Sequence, residues 1–257
     1  ALCMNVWLFL LEELETANVT GALGSDFGAF ITTFSATIDT AAWLSLLLLF
    51  ELETRLVSDI KLRRFYTATF HLLRGFCTTI IIAACWGYIS EFGTLIGSFP
   101  LNEDACALAN EGKWSVLNDL DKFSRLNAHN CAAGNLEWLR LDSVDFVLVT
   151  PSALLSAQWL AFIDCLNSSA WIMVVVLLEL EVRWVLDFQT KRWERYRNFV
   201  TISKLSSYAV IFTAAIYWSL EGKLLDAWDA VLWLFAFFFI ESNVIHWRLE
   251  QELDSEL

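Results

Sequence analysis

The residues best suited to chemistry occur twice. Glu51-Leu52-Glu53-x-Arg55-x-x-x-Asp59 recurs as Glu179-Leu180-Glu181-x-Arg183-x-x-x-Asp187. Each copy ends an apolar run that opens on Ala-Trp, at Ala42-Trp43 and at Ala170-Trp171. On a helix, Glu51, Arg55 and Asp59 fall on one face, as do Glu179, Arg183 and Asp187. Glu ahead of Arg is the favourable order for such a pair. Glu53 and Glu181 point about 200° away from Glu51 and Glu179 at about 100° per residue. Two acidic faces on each of two related helices suit the mouth of a cation or proton route, because carboxylates near hydrocarbon are costly and face protein or water. The alternative is a charged belt. The Glu-Arg-Asp ladder then neutralises itself, while Glu53 and Glu181 bind Arg63, Arg64, Arg192 or Arg195 from facing helices.

Other acids sit deeper in the apolar runs. Asp39 matches Asn167 in the second copy, and Asp164 lies one turn before Asn167. These groups either handle an ion or proton, or hydrogen-bond between helices with Thr37, Thr40, Ser168 and Ser169. Lys204 and Arg74 are candidate partners for them, although both lie nearer a helix end, where such side chains snorkel.

Several chemistries are excluded or disfavoured. His71 and His246, with Glu53, Glu181 or Glu241, lack His-x-x-x-His or Glu-x-x-His spacing, so no metal site is expected. The six cysteines have no zinc-like spacing. Cys77, Cys85 and Cys165 read as small packing residues. Cys106 and Cys131 lie in a polar loop and form the expected disulfide if that loop meets an oxidising compartment. No Gly-rich phosphate loop and no Ser or Cys nucleophile beside a base is present, which argues against an enzyme. No cofactor is strongly implied. The net charge of −13 reads as solvated acidic loops, and nothing resembles a basic nucleic-acid surface.

The elements that must carry these residues are membrane helices. The chain is 57% hydrophobic and 15% aromatic, with two prolines. Its apolar residues lie in runs of the ~20 residues needed to cross a ~30 Å hydrocarbon layer. The expected fold is all-α, with five transmembrane helices at 27–54, 66–97, 152–184, 198–221 and 224–248. Residues 27–97 form a first two-helix repeat and 152–222 a second, parallel to it. Residues 98–151 form an outer loop or cap, and 223–257 the fifth helix and an acidic tail. Residues 1–26 are expected to lie at the interface, because Glu12, Glu13 and Glu15 end a short apolar segment. In the loop, the spacing of Trp114, Leu117, Leu120 and Phe123 predicts an amphipathic helix near 113–127.

Lys and Arg set the orientation. Arg55, Lys61, Arg63, Arg64 and Arg74 surround one link, and Arg183, Lys191, Arg192, Arg195, Arg197 and Lys204 another. Both links and the C-terminus are therefore expected in the cytoplasm, with the N-terminus and loop 98–150 outside. Trp86, Trp218 and Trp228 are expected at the outer interface. Trp43 and Trp171, at matching mid-membrane positions, are expected to be packing anchors.

Phe50-Glu51-x-x-x-Arg55, followed by Phe65-Tyr66, resembles the second and third helices of voltage-sensor domains. No helix carries arginines at every third position, which excludes a working sensor. The expected function is a cation or proton channel or transporter component. Its rival is a non-catalytic subunit that scaffolds a larger membrane complex. The partners expected are the bilayer and further subunits, identical or not.

Overall fold

The structure is a computed structural model that describes residues 1–20, 27–56, 63–131, 137–142, 144–185 and 192–255. It is mostly helical, but the expectation of an all-α fold is corrected by a five-stranded sheet. The chain divides into two units, Ala1–Ser168 and Ser169–Leu257, with the boundary inside one long helix.

In the first unit, α1 covers Leu2–Thr20, α2 Phe27–Thr33, α3 Ser35–Leu56 and α4 Arg63–Thr94. The expected continuous helix over 27–54 is thus interrupted at Phe34. A tight approach of α4 coincides with the break. A Cβ on Gly87 would meet the Ile31 carbonyl oxygen and the Ser35 Cβ, each at 3.2 Å. Only a residue without a side chain lets the two backbones come this close.

After α4 the chain forms the cap. Its elements are β1 (Ser98–Pro100), α5 (Ala105–Ala109), β2 (Ser115–Asp119), β3 (Lys122–Arg125), β4 (Leu139–Leu141) and β5 (Val147–Val149). The strand order is β1-β4-β5-β2-β3, with β2 parallel to β5 and every other pair antiparallel. The helix expected near 113–127 is therefore a β-hairpin. Alternation wins over the helical spacing here because both faces of β2 are covered: Val116 packs with Ala105, Leu108, Trp114, Leu126 and Leu148, while Leu117 is buried opposite Val149. Asp121 makes the hairpin turn at φ 63, a left-handed conformation that Asp tolerates better than most residues. The expected disulfide forms, Cys106 to Cys131 with Cα atoms 5.1 Å apart, and it ties α5 to the segment after β3.

The last helix of this unit, α6, covers Pro151–Val185 and continues into the second unit. Its start is well specified. Thr150 accepts the Ala153 N–H on its hydroxyl, and Pro151 occupies the first position, where no N–H is needed.

The second unit holds the remainder of α6 together with α7 (Arg192–Leu220) and α8 (Leu224–Ser255). Gly222, at φ 78, ends α7, and the Lys223 N–H reaches back to the Trp218 carbonyl at 2.8 Å. This is the six-to-one closure in which a left-handed glycine terminates a helix. Trp171 is buried, as expected of an anchor, with its ring 4.7 Å from that of Phe237. Trp43 is also buried in the first unit. Trp86 and Trp228 are exposed, as interface residues would be, whereas Trp218 is buried within the protein.

Among the described residues, three helical segments are long and apolar enough to cross a membrane: Thr69–Thr94, Pro151–Leu178 and Asn198–Leu220. Ser35–Leu49 is a shorter apolar helix.

Candidate functional site: a carboxyl group beneath the cap

Four acids from four separate elements converge where the cap meets the helices of the first unit. Glu91 lies in the last turn of α4. Its carboxyl lies beside that of Asp121 at the hairpin turn, and Asp164 of α6 and Glu13 of α1 are the next charged groups to act on it.

Each acid is placed by neighbouring contacts. The register of α6 against α4 is set by Gln158, which donates to the Leu95 carbonyl at 2.7 Å, and by the Phe92 and Phe162 rings, 5.9 Å apart. Asp164 stands two residues after Phe162 on α6, and Glu91 stands next to Phe92 on α4, so the two acids come to a similar level. The hairpin turn is held by α1: the Thr16 hydroxyl donates to the Asp121 carbonyl at 2.6 Å.

Glu13 is placed by the helix break. Its Oε1 accepts the Ala36 N–H at 2.8 Å, and the Thr37 N–H lies 3.4 Å from Oε1 and 3.3 Å from Oε2. The first turn of a helix has backbone donors with no partner inside the helix, and its partial positive charge favours an acid. Here the acid comes from another helix. On the other side of the break, the Ser35 hydroxyl donates to the Thr32 carbonyl at 3.1 Å. A polar side chain inserted into the backbone ladder is a recognised cause of a helix break.

Of the residues singled out from the sequence, Asp164 belongs to this group. Asp39 sits half-buried in the second turn of α3. Its counterpart Asn167 has a buried Oδ1 that accepts no hydrogen bond among the described residues. Glu51, Glu53 and Arg55 lie on α3, and Glu179, Glu181 and Arg183 on α6, so both motifs are helical. Their side chains, and all of Asp59 and Asp187, lie outside the described residues. Lys204, considered as a partner for the deeper acids, pairs with Glu241 of α8 within the second unit. Tyr208 donates to the other oxygen of that carboxylate at 3.2 Å. His71 is exposed on α4. Among the described residues, no set of three or more His, Cys, Asp or Glu side chains is arranged to hold a metal ion.

Sequence reasoning missed Glu13, Glu91 and Asp121. One signal was available: Glu91 is the only acid between residues 66 and 97. No family model, curated protein or solved structure matches this chain.

Proposed function

We propose that this chain is an integral membrane protein that conducts protons or small cations. Glu13, Glu91, Asp121 and Asp164 form its outer carboxyl station, and the Glu-Leu-Glu-x-Arg cluster of each unit is a further candidate stop for the ion. The observation that carries this reading is the meeting of Glu91 with Asp121, with the carboxyls of Asp164 and Glu13 also acting on it. The charged groups acting most strongly on Glu91 are all acids. Carboxyls gathered in a poorly hydrated place favour neutralisation by protons or cations. Such a gathering takes up and releases those ions. The helix break at Phe34 fits the same function, since interrupted helices at membrane depth are tolerated where they line a site or are satisfied by protein.

In this reading the basic links face the cytoplasm, the cap faces outward, and the working form is an oligomer or part of a larger complex. The test is proton and cation flux into liposomes, wild type beside Glu91→Gln and Asp164→Asn, each variant first checked for monodisperse elution. Flux in wild type that falls at least tenfold in either variant supports the station. Absence of flux from folded wild type overturns it and favours a scaffold subunit.

A further inference from the structure

We propose that α1 is a further membrane-crossing helix, antiparallel to α3, whose exposed face is covered by lipid hydrocarbon. This departs from the expectation of an interfacial segment, and it rests on the geometry of the first unit rather than on ion conduction.

The direction of α1 follows from two levels along the helices. The first is the helix break, where Gly87 of α4 lies against Ile31 and Ser35. The second is one turn further toward the capped end of α4, where Glu91 meets Asp121. Helix α1 touches both. Glu13 binds Ala36 at the first level, and Thr16, one turn later, binds Asp121 at the second. As α1 proceeds from Glu13 to Thr16 it climbs toward the cap, whereas α3 leaves Ser35 in the opposite direction. The earlier turns of α1 therefore run down beside α3, and the two helices pack together.

The length suffices. Helix α1 has 19 residues, and at about 1.5 Å per residue it reaches roughly 28 Å, close to the hydrocarbon thickness.

Its surface is arranged for lipid. The buried stripe is Asn5, Phe9, Glu13 and Ala17, successive positions four apart, with Asn5 only 2% and Glu13 only 7% exposed. The opposite stripe carries Met4, Trp7, Leu8 and Leu11, exposed by 57, 55, 37 and 47%. In water the polar stripe would face out and the apolar stripe in. Here both polar side chains face protein, the only place in a bilayer where they find partners. The exposed apolar surface has the same character as that of the neighbouring span on α4, where Leu72, Phe76, Ile82 and Trp86 are bare. Glu12 and Glu15 keep α1 from reading as a span: Glu12 stands half-buried at its middle, and the exposed Glu15 lies in its last two turns, toward the cap. The start of α1 then lies toward the ends of α3 and α4 that are remote from the cap.

The experiment is cysteine labelling in sealed, uniformly oriented membranes with a membrane-impermeant maleimide. The background replaces Cys77, Cys85 and Cys165 by alanine and retains the Cys106–Cys131 disulfide, whose persistence on a non-reducing gel confirms folding. Native Cys3, exposed in the first turn of α1, is compared with Asn18→Cys near its end, carried in that background with Cys3→Ala. The expected result is that one thiol reacts from outside and the other only after permeabilisation. Equal reaction of both from one side would overturn the proposal. Flux measurements do not enter this result, so it stands or falls separately from the proposed function.

Discussion

Glu13 of α1 and Ala36 of α3 are joined by a 2.8 Å hydrogen bond from a backbone N–H to a buried carboxyl oxygen. The bond crosses between two helices and satisfies a helix start that has no capping side chain of its own. It also brings an acid beneath the cap, so one contact both organises the fold and equips the site.

Glu13→Ala should lower the stability of the detergent-solubilised protein by about 1–3 kcal/mol, the range for leaving a buried backbone donor without a partner. Glu13→Gln keeps an acceptor oxygen and should cost less than half as much. Thermal unfolding of the three proteins side by side checks the order. Equal losses for Ala and Gln would show that charge, rather than the hydrogen bond, matters at Ala36.

Gly87→Ala should destabilise by about 1–3 kcal/mol through overpacking, because the new methyl would press on the Ile31 carbonyl and Ser35 Cβ at 3.2 Å. Gly93→Ala on the same helix meets nothing within 4 Å and serves as the control. It should be neutral or stabilising by up to about 1 kcal/mol, since alanine is the better helix former. Equal melting temperatures for the two variants would refute the close approach of α4 to the helix break.

Reduction of the Cys106–Cys131 disulfide should loosen the cap. The bridge joins residues 25 apart in sequence, and closing a loop of that size is worth about 3 kcal/mol by chain entropy. Cys131→Ser, or wild type held in reductant, should expose Trp114 and Trp138 to collisional quenchers and speed proteolysis within residues 98–150. Unchanged digestion would mean that the sheet alone holds the cap.

The turn at Gly222 sets the register of α7 and α8. It leaves Lys204 and Glu241 at nearly equal chain distances from the turn, where they form an ion pair with side-chain exposures of 14% and 21%. Breaking a fully buried pair costs roughly 3–5 kcal/mol, and this partly exposed pair should lose less. Glu241→Gln should destabilise, and a Lys204→Met/Glu241→Leu double variant should regain most of the loss. A double variant no better than the single would show that the pair contributes more than relief of an uncompensated charge.

How legible the fold was can be judged from particular residues. The Cys106–Cys131 bridge was readable because two cysteines shared one polar loop. Trp43 and Trp171 were readable as anchors because large aromatics at mid-run must be packed somewhere. The hairpin at 115–125 was not readable. Trp114, Leu117 and Leu120 stand three apart, which imitates a helical stripe, and the ladder irregularity between Leu117 and Asp119 disturbs the strand alternation that would have betrayed it.

By itself the sequence determined that long apolar helices dominate and which apolar stretches form three of them, because hydrophobicity over ~20 residues is a local property. It determined equally that both Glu-Leu-Glu-x-Arg motifs ride on helices. The tertiary structure alone decided that Glu13, Glu91, Asp121 and Asp164 belong together, and that α2 and α3 part at Phe34. Those outcomes depend on groups far apart in sequence: a carboxyl from α1 replacing lost backbone bonds, a glycine admitting α4, and a hairpin turn reaching the helix ends. No local pattern encodes such meetings, because the hydrogen bonds and close contacts that fix them exist only after the chain has folded.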